Sequence, residues 1–350
     1  MNNIKNFPII FITERFFMNM KKWKNSVMTA ARKKAAPILT FPCVQLMGIT
    51  VNELISDSIL QARDMRWISE RTDSLLSLSM MDLSVEAEAF GSNIRKSNNE
   101  VPTVIGRIME NEEDAHNLKV PDVNSGRTGF YIEAIEIAAR EIRDRPVLAG
   151  VIGPFSLAGR LMDISEIMAN CYDEPDFVKI TLEKTSEFIS NYILEFKKAG
   201  ANGVVMAEPA AGLLSPGLVD EFSSRYIRKI VEKVQDENFM FLYHNCGPNT
   251  PLMLNSLIDI GADAYHFGDS VKMTQILDEM PGDVLVMGNI SPSAQFLKGT
   301  PESIYNATTE LMRECSKHCN FIISSGCDIP PMSSWNNIDS FFRAVNDFNE

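Results

Sequence analysis

Phe239-Met240-Phe241-Leu242-Tyr243-His244-Asn245-Cys246-Gly247 is an apolar run of strand length that ends in a histidine and a cysteine two positions apart. An extended chain alternates its side chains, so His244 and Cys246 point to the same side. Zinc prefers nitrogen and sulfur ligands. A further thiol, Cys327, closes another apolar run, Phe321-Ile322-Ile323-Ser324-Ser325-Gly326-Cys327-Asp328. Three protein ligands at strand ends would leave one coordination position open, the arrangement of a catalytic rather than a structural zinc. By spacing alone, a core cysteine beside a hydrogen-bonded histidine is the commoner outcome.

The same plan of apolar body and polar exit recurs outward from this run. Downstream come residues 262–267, 284–289 and 321–327; upstream come 203–209, 146–154, 75–81 and 36–42. Together these are eight candidate strands. They are separated by helical text at residues 51–72, at 130–143 and in a pair of helices reaching Lys198, or by a polar excursion over 91–123 expected to hold little regular structure. Ser215-Pro216 and Thr250-Pro251 supply helix starts. Alternation of strand and helix sustained this long predicts an α/β fold, a single (β/α)8 TIM barrel over residues 36–350, preceded by an N-terminal helical extension over 1–35. Active sites of such barrels lie at the C-terminal strand ends, where Asp82, Glu208, His244, Cys246, Asp269, Asn289, Cys327 and Asp328 collect. Polar residues also gather there simply because loops begin there.

The chain has 350 residues and a net charge of −13, with 33 Lys and Arg against 46 Asp and Glu. That acidity disfavours partners such as nucleic acid or an anionic membrane surface. Six cysteines without a framework spacing fit a reduced, cytoplasmic setting. Residues 7–12 are apolar but too short to span a membrane, and no export signal follows from them. Translation from Met18 or Met20 is the alternative account of this stretch. Cys315, His318 and Cys319 read as an ordinary helical face rather than a second metal site.

Three stretches carry a resemblance: His244-Asn245-Cys246-Gly247, Met287-Gly288-Asn289-Ile290-Ser291-Pro292 and Ser325-Gly326-Cys327-Asp328-Ile329-Pro330-Pro331. They resemble the cobalamin-dependent methyltransferase branch of the uroporphyrinogen decarboxylase superfamily, notably its methylcobamide:coenzyme M methyltransferases. Residues 207–216 and 81–88 are similar to further stretches of that family, and the likeness runs from about Ala36 onward. The resemblance implies zinc held by His244, Cys246 and Cys327, and methyl transfer from a methylated corrinoid to a thiol such as coenzyme M. On that reading zinc deprotonates and holds the acceptor thiol. The corrinoid arrives on a separate corrinoid protein, because Asp263-x-x-His266-x-Gly268 lacks the spacing of a corrinoid-binding signature. Glu208 is the candidate carboxylate behind the histidine or a displaceable fourth ligand, with Asp82 and Asn289 also assigned to the catalytic mouth. A homodimer stays open.

The decarboxylase branch carries an arginine-bearing motif after its first strand, whereas here Pro42-Cys43-Val44-Gln45-Leu46-Met47-Gly48 has no arginine. A decarboxylase-like lyase and a noncatalytic tetrapyrrole- or thiol-binding barrel are the alternatives.

Overall fold

The computed structural model describes residues 18–350, and the apolar residues 7–12 lie outside them. Seven strands form one parallel sheet in sequential order: β1 (Ser77–Leu78), β2 (Val147–Ile152), β3 (Gly203–Ala207), β4 (Met240–Asn245), β5 (Ala264–Phe267), β6 (Leu285–Ile290) and β7 (Phe321–Ser325). From β2 onward, helices or helical turns follow each strand, and the strands are buried almost throughout, as a parallel sheet covered on its outer face requires.

The expected first strand is the one departure in this series. Residues 36–40 are buried, but their backbone bonds are scattered rather than laddered: Ala36 N–H donates to the Ile323 carbonyl at 3.0 Å, Ile329 N–H to the Ile38 carbonyl at 3.0 Å, and Leu75 N–H to the Ala35 carbonyl at 2.8 Å. The segment thus bridges β7 to the chain entering β1 without forming a ladder. Pro37 has no amide proton to donate, and Leu39 N–H turns back to the Pro37 carbonyl at 2.9 Å. The expected eight strands are therefore seven regular strands and one extended staple.

Alternation sorts each strand's side chains. Leu148, Val205, Ala207, Met240, Leu242, Ala264, Leu285, Met287 and Ile322 form an inner cluster, while Val204, Met206, Phe241, Tyr243, Tyr265 and Phe267 pack in the larger outer one. Helix Met20–Thr29 plugs the inner cluster from below with Met20, Trp23 and Val27. Lys24 Nζ bonds Asp263 at 2.6 Å, just before β5, and Lys21 N–H donates to the Glu237 carbonyl near the start of β4. The plug therefore sits at the N-terminal strand ends and leaves the C-terminal ends for chemistry.

Other expectations shift in detail. Helical text at 51–72 divides into Val51–Leu54 and Ser58–Arg71, the second capped by Asp57, which accepts from the Ile59 and Leu60 amides. The expected helical pair is three helices, Pro154–Met162, Ile164–Asp173 and Pro175–Ala199, broken at Asp163 with φ of 82° and again before Pro175. The polar excursion holds an antiparallel hairpin of Asn93–Arg95 and Thr103–Ile105 and a helix, Glu112–Asn117. Pro216 does open a helix, but the Ser215 hydroxyl makes no capping bond. Among the described residues, no helix is long and apolar enough to cross a membrane.

Candidate metal centre

His244 and Cys246 lie at the top of β4, and Cys327 follows β7 after one intervening residue, Gly326. Inward alternation from Leu242 places His244 at the mouth, and the curl of the sheet brings β7 round to it. One donor atom from each of the three residues lies within 4.8 Å of the others. His244 Nε2 is 3.6 Å from Cys327 Sγ. A tetrahedral zinc with Zn–N of about 2.0 Å and Zn–S of about 2.3 Å sets a nitrogen-to-sulfur edge of about 3.5 Å, so this pair is close to ligating separation. His244 is 2% exposed whereas both thiols are only half-buried, so the solvent side of the triad is the sulfur side.

The two thiols share a hydrogen bond with opposite effects. It holds Cys246 below the ordinary thiol range, while with burial it pushes Cys327 up to about 12. An ion bound there would displace thiol protons, which makes uptake proton-coupled. The donor set of one imidazole and two sulfurs is the chemistry that suits zinc.

Local turns hold Cys246 in place. Asn245 accepts at Oδ1 from the Gly247 amide (2.8 Å) and the Thr250 hydroxyl (3.2 Å), and its Nδ2 donates to the Glu208 carbonyl and the Tyr243 hydroxyl, each at 3.0 Å. Thr250 is thus used in this turn rather than as a helix cap. A Cβ on Gly268 would stand 2.6 Å from the Cys246 Cα and Cβ, so glycine is required where the β5 exit passes Cys246. Asn245 was not among the residues assigned from sequence, although an asparagine between two candidate ligands at a strand exit is a turn signal.

Glu208 is fully buried at the exit of β3. Its backbone N–H donates to the His244 carbonyl at 2.9 Å, but its carboxylate turns outward, accepting from the Phe155 amide (3.0 Å) and the Ser156 amide (2.6 Å) at the start of helix Pro154–Met162. Burial raises its pKa to about 7 against the pull of those donors. A Cβ on Gly153 would fall 2.3 Å from Glu208 Oε2, so the carboxylate occupies the space beside that glycine. The group facing His244 Nδ1 is instead His266, through its carbonyl at 3.2 Å and its ring Nδ1 at 2.8 Å. Burial and the neighbouring His244 hold His266 well below the usual imidazole range.

Asn289, on β6, donates from Nδ2 to the Gly268 and Val271 carbonyls at 2.7 and 2.8 Å, bracing the loop beside Cys246. Asp82 lies in a buried network between β1 and β2. It accepts from the Arg127 guanidinium, the Tyr131 hydroxyl and the Ser84 amide and hydroxyl. Glu86 joins the same region, accepting at Oε1 from the Ile152 amide at 3.0 Å, while its buried Oε2 has no hydrogen-bond partner.

Burial pushes Glu86 up to about 8 against the Ile152 amide. Its folded pKa stands above the unfolded one, so the stability it contributes is complete below about pH 4.5 and is lost as pH rises through about 8. Glu86→Gln is expected to flatten the wild type's decline over that window, which runs at up to about 1.4 kcal/mol per pH unit for one group. Urea midpoints of both proteins at acidic and alkaline pH check this; parallel declines refute it.

The sequence model of uroporphyrinogen decarboxylase (URO-D) matches residues 76–348, from just before β1 to the end of the last helix. The chain belongs to the uroporphyrinogen decarboxylase family. A family relative, the methylcobamide:CoM methyltransferase MtbA of Methanosarcina acetivorans, is 26% identical over 271 residues, covering 76% of this chain and 78% of its own. The uroporphyrinogen decarboxylase of Pseudomonas fluorescens is 26% identical over 278 residues, covering 76% of each chain. A solved methyltransferase from Methanosarcina mazei superposes with a TM-score of 0.84 at 21% identity, over 96% of this chain and 100% of that one, a likeness of fold. Within the uroporphyrinogen decarboxylase family, then, overall identity does not separate the two chemistries.

Proposed function

We propose that the protein is a zinc-dependent methyltransferase that moves a methyl group from a methylated corrinoid to a thiol of the coenzyme M kind. The observation that carries this reading is the convergence of His244 Nε2, Cys246 Sγ and Cys327 Sγ at the C-terminal strand ends. These three atoms would hold the ion. Bound there with one position open, zinc would remove the proton of an incoming thiol and keep its sulfur nucleophilic. His244, anchored between β3 and β5, orients the nitrogen donor, and the Asn245 turn aims Cys246. Asn289 holds the loop beside Cys246, while Glu208 and Asp82 tie the β3 and β1 exits to their helices, so all three act as positioning residues.

The methyl donor is carried by a separate corrinoid protein. Leu213, Leu252, Leu297 and Met332 stand exposed on the segments after β3, β4, β6 and β7, an apolar rim round the mouth that suits such a partner. Residues 36–350 act as one barrel unit and 1–35 as its extension. The CoM methyltransferase relative supports this reading. The equally similar decarboxylase keeps a lyase as the second reading, against which stands the lack of any arginine between Arg32 and Arg63, around the first extended segment.

Metal analysis and turnover test it together. The protein is expected to hold about one zinc per chain and to demethylate free methylcobalamin with coenzyme M or a related thiol. Removal of zinc should stop the reaction, and its return should restore it. Turnover that survives complete removal of zinc, or spectral binding of methylcobalamin without any demethylation, overturns the proposal; release of carbon dioxide from uroporphyrinogen would establish the lyase.

A further inference from the structure

His266 faces inward on β5, 1% exposed and in direct register with His244 on β4. Its Nδ1 lies 2.8 Å from His244 Nδ1, and its Nε2 lies 2.8 Å from the Ser324 Oγ on β7. The Ser324 hydroxyl in turn donates to the Ala36 carbonyl at 2.8 Å. A hydroxyl has a single proton. With that proton given to Ala36, the Ser324 oxygen faces His266 as an acceptor, which puts the His266 proton on Nε2. Neutral imidazole then presents a lone pair at Nδ1, and the proton between the two facing Nδ1 atoms must belong to His244. His244 is left with a bare Nε2, the atom 3.6 Å from Cys327 Sγ.

We infer that His266 is a positioning residue that fixes the tautomer of His244, so that Nε2 meets the ion as a ready donor. The chain Ala36 carbonyl, Ser324, His266, His244 carries this instruction from the extended staple at the barrel seam to the site. It gives a role to the stitching of a proline-interrupted segment to β7 and to a second buried histidine beside Ser324. The inference rests on the zinc reading of the site, because the tautomer has a consequence only if Nε2 must ligate. Ligating histidines commonly pass their other N–H to an oxygen acceptor, and here the His266 carbonyl at 3.2 Å is the competing acceptor.

The chain contains four histidines, so long-range nitrogen–proton NMR of the metal-free, 15N-histidine-labelled protein can assign each tautomer. His244 is expected protonated at Nδ1 and bare at Nε2, and His266 the reverse; His244 protonated at Nε2 overturns the inference. Chelator competition supplies the second readout. His266→Phe should weaken zinc binding about 10- to 100-fold, while His266→Asn, which can place an acceptor near the lost Nδ1, should recover most of it. Unchanged affinity in His266→Phe would mean that the carbonyl suffices and would also overturn it. Should His266→Phe fail to fold, Ser324→Ala removes one buried oxygen and is expected to give both rings mixed tautomers; unaltered tautomers refute the relay. A wild-type protein that takes up no zinc defeats the metal reading, yet the NMR assignment still decides the relay.

Discussion

Cys327→Ser is expected to leave the purified protein with far less than one zinc per chain and to lower methyl transfer by about a thousandfold or more, since even a residue behind a ligand changes affinity or activity about 10- to 100-fold. A serine hydroxyl stays protonated where a thiol ionises, so the site loses an anionic donor as well as a soft one. The remaining pair, His244 and Cys246, both come from the top of β4, and nothing from β7 then closes the site. Cys327 is only half-buried, so the substitution should leave the fold intact, which circular dichroism and thermal unfolding check directly. Cys319→Ser is the control. That cysteine is exposed beyond helix Pro301–Cys315, away from the strand exits that form the site, and its loss should change neither zinc content nor turnover. Full zinc occupancy and ordinary turnover in Cys327→Ser would remove the basis of the proposed chemistry.

What the residues disclosed in advance was mostly periodic. Buried parallel strands are continuous apolar runs, and seven of these could be placed because each ends in a polar or glycine-bearing exit. The segment at 36–42 looks the same as text, but strand identity depends on a ladder, and Pro37 withdraws one of its donors. The hairpin of Asn93–Arg95 with Thr103–Ile105 was hidden for the opposite reason. Its strands are short and only partly covered, so no apolar alternation marks them.

At the site, the common side of His244 and Cys246 was legible from i, i+2 alternation and the gathering of Cys327 with them from the strand-end rule, whereas their reading as zinc ligands came from the family resemblance. The partners behind them were not. Glu208 was a sensible choice to support His244, yet which way a buried carboxylate turns depends on the free amides at the start of the next helix, a relation between elements rather than a spacing. His266 is found only once β4 and β5 are set in register, which pairs His244 with His266 across the sheet. The signal available in sequence was that both histidines sit one residue before the last residue of an inward-facing strand.

Arg127→Leu is expected to destabilise the protein by about 3–5 kcal/mol, the usual consequence of leaving a buried charge without its partner. Arg127 is 4% exposed, and its guanidinium bonds Asp82, Glu88 and the Ser84 hydroxyl at once. The Asp82 carboxylate is wholly enclosed, with Tyr131 donating to the same oxygen at 2.9 Å and Ser84 to the other. Leucine would remove the cation and keep the enclosure, leaving the buried Asp82 carboxylate without its partner charge. A loss of that size is a large part of the roughly 5–15 kcal/mol that holds a domain folded. Urea unfolding of Arg127→Leu measures it, and a change below about 1 kcal/mol would mean that water reaches Asp82 or that the pair adds nothing. The double variant Asp82→Leu with Arg127→Leu separates charge from shape: with both ions gone, it should be more stable than Arg127→Leu alone. If the double variant folds firmly yet transfers methyl groups slowly while still binding zinc, then the network's contribution is to set the β1 exit at the barrel mouth rather than to supply stability.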